Sequence, residues 1–404
     1  MTETAAGSPA PHRALHRAFA VLTVLLLGGP VAAAAQEYQQ VDAVVKHGIR
    51  EGLYPGAVVV IGRRDTVLYS QGFGHLTWGT RSPRPTPTGT LWDLASLTKV
   101  VATTSSMMVL VENGAVDLDA PISRYLPRFV SSGTDPRRGR VTVRMLLDHT
   151  SGLPAWRPFV HLARTREAAL TLLYSTPLAR SPGDTAVYSD LNAILLGELV
   201  HTVSGEPLDR FAARNVFQPI GMSRTLFKPP RSMWRDAAPS AVYRGRPVVG
   251  VANDGNAVRL GGVAGHAGLF STGSDLARYA QAWLGYGRTG TGVMADPATV
   301  LAFLQRTPAS GTRLLGWDTA DTLMADPSVF GTRLTPSAYG HTGWTGTELW
   351  VDPGQDLFMV FLTNRSYKPR GGRSIERLRE LRAHLSDAVV ASTTAAASPM
   401  HQGR

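Results

Sequence analysis

Apolar positions along the chain change period several times, and the changes mark out the elements. VDAVVKHGIREG (41–52) has helical spacing and a terminal glycine, which predicts a helix. PGAVVVIGRRDTVLYSQGFG (55–74) holds two β-rich runs joined by the charged turn Arg63-Arg64-Asp65 and predicts a hairpin. RSPRPTPTGT (81–90) is a loop, and SLTKVVATTSSMMVLVENG (96–114) predicts a long buried helix closed by Gly114. The middle of the chain is helix and loop. It contains TREAALTLLYSTPL (165–178), SDLNAILLGELVHTVSG (189–205) and EPLDRFAARNVFQPIG (206–221), then an irregular Pro/Arg-rich tract. GGVAGHAGLFSTGSDLARYAQAWLGYG (261–287) is helical in its second half. Strand character returns in YGHTGWTGTELWVDP (339–353) and DLFMVFLTNRSY (356–367), and SIERLRELRAHLSDAVVAST (374–393) closes as an amphipathic helix. Strands at both ends with helices between them imply an α/β (α+β) domain interrupted by a helical one. The expected bounds are 36–114 with 261–395 for the first and 115–260 for the second, with a disordered tail at 396–404. Clefts at such boundaries are the usual place for a small-molecule site.

Composition narrows the chemistry. The 404 residues contain no cysteine, which excludes disulfides, thiolate metal sites and a cysteine nucleophile. Arg13 and Arg17 precede the apolar run AFAVLTVLLLGGPVAAAA, which ends in small residues before Gln36. Residues 1–35 are therefore expected to be a secretory signal peptide, with an uncleaved anchor as the alternative, and the mature protein to be exported without stable membrane insertion. The net charge of +11 comes almost wholly from arginines scattered along the chain. The tight clusters at 135–140 and 368–373 lack interleaved aromatics, so no nucleic-acid partner is expected. Among the histidines no His-Glu-x-x-His helix or close ligand pair occurs, and no metal or other cofactor is expected. The chain also lacks a Gly-x-Ser-x-Gly elbow and a phosphate-binding Gly-Lys-Ser/Thr loop.

Three short stretches carry candidate chemistry. In SLTK, Ser96 and Lys99 lie one helical turn apart on one face. A serine hydroxyl needs a neighbouring base, and burial of Lys99 would disfavour its ammonium form enough to help. The helix start at Ser96 also presents its N–H to a developing oxyanion. In YSDLN, Tyr188 precedes Asp190 and Asn192 at the start of an apolar helix; Asp190 is equally a helix cap. In GHTGWTG, His341, Thr342 and Gly343 lie on a strand whose glycine permits close approach of another backbone, or marks a bulge or edge, and the Trp344 N–H is a second oxyanion donor. His149 in DHTSGL and His266 in GHAG are expected to be structural, hydrogen-bonding loops near the cleft.

With LLDHTSGLP (146–154) and GGVAGHAGLFST (261–272), these stretches occur in an order that resembles the class C β-lactamases and the related penicillin-binding serine hydrolases, including DD-peptidases and esterases. The resemblance covers about residues 40–390. It implies an antiparallel sheet flanked by helices with an inserted helical domain. It also implies a Ser96 acyl-enzyme, Lys99 and Tyr188 as the proton-shuttling pair, and an oxyanion site made by the Ser96 and Trp344 N–H groups. Asp190, Asn192, His341, Thr342 and Gly343 would contact substrate. His341 stands where the lactamases usually carry lysine, and Asp190 where they usually carry asparagine. A neutral imidazole is a weaker, pH-dependent carboxylate binder, and Asp190 adds negative charge near the cleft. The implied function is an exported serine hydrolase acting on esters or peptide-type amides, with cell-wall muropeptides as a physiological class. A true β-lactamase and a non-catalytic penicillin- or wall-binding module are the alternatives.

Overall fold

The computed structural model describes residues 37–319, 329–370, 372 and 374–397. The signal-peptide expectation (1–35) lies outside these residues, as does the tail beyond 397; Ala396 and Ala397, expected in a disordered tail, close the last helix.

A six-stranded sheet, antiparallel throughout, forms the framework. Its strands are β1 (Gly56–Arg63), β2 (Thr66–Gly74), β3 (Asp318–Thr319), β4 (Tyr339–Thr342), β5 (Glu348–Asp352) and β6 (Leu357–Thr363), in the spatial order β3-β4-β5-β6-β1-β2. The predicted hairpin is β1–β2. It meets the C-terminal strands where β1 pairs with β6, Val60 opposite Val360. Strands β1 and β6 are buried almost end to end because both sheet faces are covered. On one face Ala57, Val59, Ile61, Met359 and Phe361 pack under helix α1 (Gln39–Arg50) and the C-terminal helix Ser374–Ala397. On the other, Val58, Val60, Leu349, Val351 and Phe358 join one apolar core with the helical part of the chain. β2 is the exposed edge.

Helix α2 begins at Leu97, runs through a π-helical turn over Lys99–Thr104 and continues as α-helix over Ser105–Glu112. The wide turn follows from side chains taking a backbone acceptor: the Val100 carbonyl receives Tyr279 Oη at 2.8 Å and Ser105 Oγ at 3.1 Å. Helix α3 (Asp190–Ser204) starts beside Tyr188 and stops at Gly205 in the left-handed region. Helix α4 (Gly273–Leu284), capped by Thr272 on the Asp275 N–H, packs its apolar face on the sheet. The closing helix Ser374–Ala397 is α5. The irregular tract after residue 221 contributes short strands, among them Leu226–Phe227, which joins Trp92–Asp93 and Leu269–Ser271 in a small sheet beside the start of α2.

Candidate active site

Ser96 sits at the turn entering α2, directly after Ala95, whose φ of 48° is unusual for a residue with a Cβ. Asp93 holds that turn. Its buried carboxylate accepts the Ala95 N–H at 3.0 Å and the Asn253 N–H at 2.6 Å, and burial pushes its pKa up to about 6 despite both bonds. Neither the Ser96 nor the Trp344 backbone N–H donates to any group among the described residues, and both residues line one cleft. That cleft, about 420 Å³, is also walled by Tyr188, Arg313, Thr342 and Arg379. The β4–β5 turn is docked against the nucleophile segment: Thr345 Oγ1 donates to Asp93 O at 2.7 Å and Thr347 Oγ1 to Leu94 O at 3.0 Å. A Cβ on Gly343 would lie 2.5 Å from Leu94 O, so the glycine admits the protein's own backbone, at the same place where it borders the cleft.

Lys99 is buried beneath Ser96. Its Nζ donates to Asp190 Oδ1 at 2.7 Å, Ser96 Oγ at 3.1 Å and His266 O at 3.2 Å, and it lies 4.8 Å from the Tyr188 ring centroid. Here the structure departs from the sequence reading. Burial does press the Lys99 pKa down, but the Asp190 carboxylate and Tyr188 outweigh it, and the group lies above its ordinary value as an ammonium. Asp190 correspondingly faces Lys99 and does not line the substrate cleft, since a buried cation draws the nearest carboxylate. Asn192 is also displaced from its expected role: fully buried, it accepts Ser151 Oγ at 2.6 Å and places its Nδ2 3.2 Å from His149 Nδ1.

His149 (φ 64°) packs its ring 4.9 Å from that of Tyr188, and its Nδ1 accepts the Ser189 N–H at 3.2 Å. Burial, with Arg313 and Lys99 nearby, holds its pKa well below the usual histidine value, so it is a neutral acceptor that braces the Tyr188 loop. His266 bonds Asp254 through Nε2 at 2.9 Å, and its carbonyl reaches Lys99 because Gly265 lies against α3, where a Cβ would meet Ala193 O at 1.9 Å. Asp190, Asp254 and His266 place potential ligand atoms within 4.8 Å of one another, yet the Lys99 ammonium already bonds Asp190, so a cation is built into this cluster; against its burial, Asp254 is held low chiefly by His266.

His341 is buried on β4 with Nδ1 2.8 Å from Thr342 O, and burial with Lys99 and Arg313 keeps its pKa well below the usual value. The pH-dependent charge expected of it is therefore displaced below the ordinary histidine range. Positive charge in the cleft comes instead from arginines the sequence reading did not single out. Arg313 stands over the Tyr188 ring at 5.2 Å and bonds Asp318 at 3.1 Å, and Arg379 is exposed on α5. No motif marks either arginine in the sequence; only the fold brings them to the cleft that Ser96 lines.

The sequence profile of the Beta-lactamase family matches residues 41–384. The chain belongs to the beta-lactamase family. An Escherichia coli family relative named "Putative D-alanyl-D-alanine carboxypeptidase" is 31% identical over 364 residues, covering 83% of each chain. Among solved structures of the fold, EstCE1, titled a hydrolase with promiscuous acyltransferase activity, superposes with a TM-score of 0.70 at 23% identity, covering 88% of this chain and 99% of its own. A beta-lactamase from Sulfitobacter sp. gives 0.70 at 22% identity, covering 90% and 99%. The α+β architecture is that of the serine beta-lactamase fold, and the protein is a serine hydrolase of this family. No described helix is long and apolar enough to cross a membrane.

Proposed function

We propose that the protein forms an acyl-enzyme on Ser96 and hydrolyses ester or peptide-type amide substrates, with exported action on muropeptide-like peptides as the physiological class. The observation that carries this reading is Ser96 Oγ 3.1 Å from the Lys99 ammonium at the edge of a cleft that also presents the unpartnered Trp344 N–H. Ser96 Oγ attacks the carbonyl carbon as its proton passes to the Tyr188 oxygen, Tyr188 working as the phenolate and becoming a neutral phenol. Lys99 is committed as a donor, and Lys99 and Arg313 face the Tyr188 ring, where they offset the phenolate charge that the incoming proton neutralises. The carbonyl oxygen becomes an oxyanion held by the Ser96 and Trp344 N–H groups. Tyr188 returns the proton to the leaving alcohol or amine as the tetrahedral C–O or C–N bond breaks. Water then repeats the sequence to release the acid and restore Ser96. The similarity to a carboxypeptidase-named relative supports a peptide substrate, and Arg313 and Arg379 in the cleft wall suit one that carries a carboxylate. The signal-like residues 1–35 support export.

Intact-mass analysis after exposure to a fluorophosphonate, a p-nitrophenyl acyl ester and a penicillin tests the reading, with Ser96→Ala as control. An adduct on wild type that is absent from the variant is expected, and no adduct from any reagent would sink the mechanism. Fast nitrocefin turnover would instead favour a true β-lactamase. Lys99→Ala and Tyr188→Phe should each slow acylation by orders of magnitude with the fold intact.

A further inference from the structure

We infer that Arg382 is a positioning residue of the oxyanion site, fixing from the C-terminal helix the Gly343–Trp344 peptide whose N–H faces the reacting carbonyl. The inference rests on the acyl-enzyme reading above and deepens it.

Arg382 is 2% exposed on α5, beneath the β4–β5 turn. One terminal nitrogen, Nη2, donates to Gly343 O at 2.9 Å and to Thr347 O at 2.8 Å. The Gly343 carbonyl and the Trp344 N–H belong to one peptide unit. In a trans peptide the two point in opposite directions, so a donor anchored behind the carbonyl fixes where the N–H points. The Gly346 N–H reaches the same carbonyl at 3.0 Å, and the Gly343 N–H closes the turn on Thr347 O at 2.7 Å. On the far side the turn is bonded to Asp93 O and Leu94 O, the residues that lead into Ser96. Both oxyanion donors thus belong to one hydrogen-bonded frame, to which Arg382 supplies the charge-assisted bonds. A cation bonded to the carbonyl also polarises the amide and strengthens its N–H as a donor.

Anchoring α5 does not require this guanidinium. Leu378, Leu381, Leu385 and Val389 already bury the helix against the sheet, and Trp350 Nε1 donates to Ser386 Oγ at 3.0 Å. The Arg382 counter-ion does not hold the guanidinium by hydrogen bonds: Glu348, fully buried, pairs with Arg382 Nε at 3.9 Å, and neither carboxylate oxygen has a hydrogen-bond partner. A buried cation needs hydrogen-bond acceptors as well as a counter-ion, and the acceptors Arg382 uses are the two carbonyls of the oxyanion turn.

The test compares wild type, Arg382→Gln and Arg382→Lys on a neutral and a carboxylate-bearing p-nitrophenyl ester. Affinity for a boronic acid that mimics the tetrahedral intermediate and thermal midpoints are measured alongside. For Arg382→Gln, kcat is expected to fall about 10–100-fold on both esters with KM within about twofold, and boronate affinity to weaken in parallel. Arg382→Lys should recover part of the loss. A wild-type kcat with only a lowered midpoint would make Arg382 a structural anchor and overturn the inference. A loss confined to KM for the anionic ester would make it a substrate contact and overturn it too. If the glutamine variant does not fold, the lysine variant decides: a kcat reduced several-fold on both esters supports the inference and an unchanged kcat rejects it. An active Ser96→Ala would reject the acyl-enzyme reading itself, an outcome distinct from any of these.

Discussion

At Lys99 three acceptors converge on one ammonium: the Asp190 carboxylate, the Ser96 hydroxyl and the His266 carbonyl. A neutral amine would leave Asp190 without its cation, so the pair acts as one unit, and its protonation decides which neighbour receives the serine proton. Asp190→Asn separates the possibilities. Asp190 helps hold the Lys99 pKa above its ordinary value, so the change lets burial pull it down and the ammonium is lost at lower pH. If the ammonium is the working form, activity near pH 7 does not rise, and only the basic limb of kcat/KM, at or above the ordinary lysine range, moves to lower pH. If neutral Lys99 were the base, the acidic limb would move instead, and activity near pH 7 would rise. A pH profile from 6 to 10 on a neutral ester distinguishes the two. The contact of Ser96 with Lys99 was readable from their three-residue spacing, whereas the place of Tyr188 beside them was suggested only by the order of the motifs along the chain. Asp190 was visible as a charge and misplaced, because sequence does not say whether a carboxylate faces a cleft or a buried lysine.

Between elements, the decisive contact is the β4–β5 turn lying on the segment that leads into α2. Gly343→Ala puts a Cβ 2.2 Å from Thr347 Oγ1 and 2.5 Å from Leu94 O, so the turn must lift from Ser96. We expect a destabilisation of about 1–3 kcal/mol and a large fall in the fluorophosphonate labelling rate of Ser96; labelling at the wild-type rate would show that the docking is not needed. The loop before α3 depends on His149 in a comparable way. His149→Ala leaves the Ser189 N–H without its acceptor, an expected cost of about 1–3 kcal/mol by urea unfolding, with slower acylation because Tyr188 loses its ring neighbour. The hairpin and the helices over 189–205 and 374–393 were readable from period and terminal glycines. A structural role for His149 was expected from its loop, but its partners were not, nor was the Arg382 contact, because these bonds join residues far apart in the chain across surfaces that exist only after packing.

For the molecule as a whole, buried acids set the pH response. Burial raises Asp93 from 3.8 to about 6 and Glu348 from 4.5 to about 8, the latter partly offset by Arg382. An acid whose folded pKa exceeds its unfolded value binds its proton more tightly in the native state. Its contribution is fully present below the unfolded pKa and is lost as pH rises through the folded one. Asp254, lowered through His266 against the burial that raises it, has the opposite sign and loses stability on acidification. Above the ordinary histidine range, where His149 and His341, held neutral by burial, no longer act in the opposite sense, unfolding free energy is expected to decline up to about pH 8 as Glu348 loses its native-state proton. Urea unfolding of Glu348→Gln should show a flatter dependence between pH 6.5 and 8; an unchanged slope would mean that other groups carry it.

The wide turn at Lys99–Thr104 gives the helix an unusual relation to its own regularity. Deleting one residue there would let the coil tighten to an α pitch, a local gain in bonding geometry, while turning Lys99 by about 100° relative to Met107. Circular dichroism would register an ordinary, even improved, helix, and Ser96 would face an amine pointed elsewhere. In this protein the better-formed helix is the one expected to be inert.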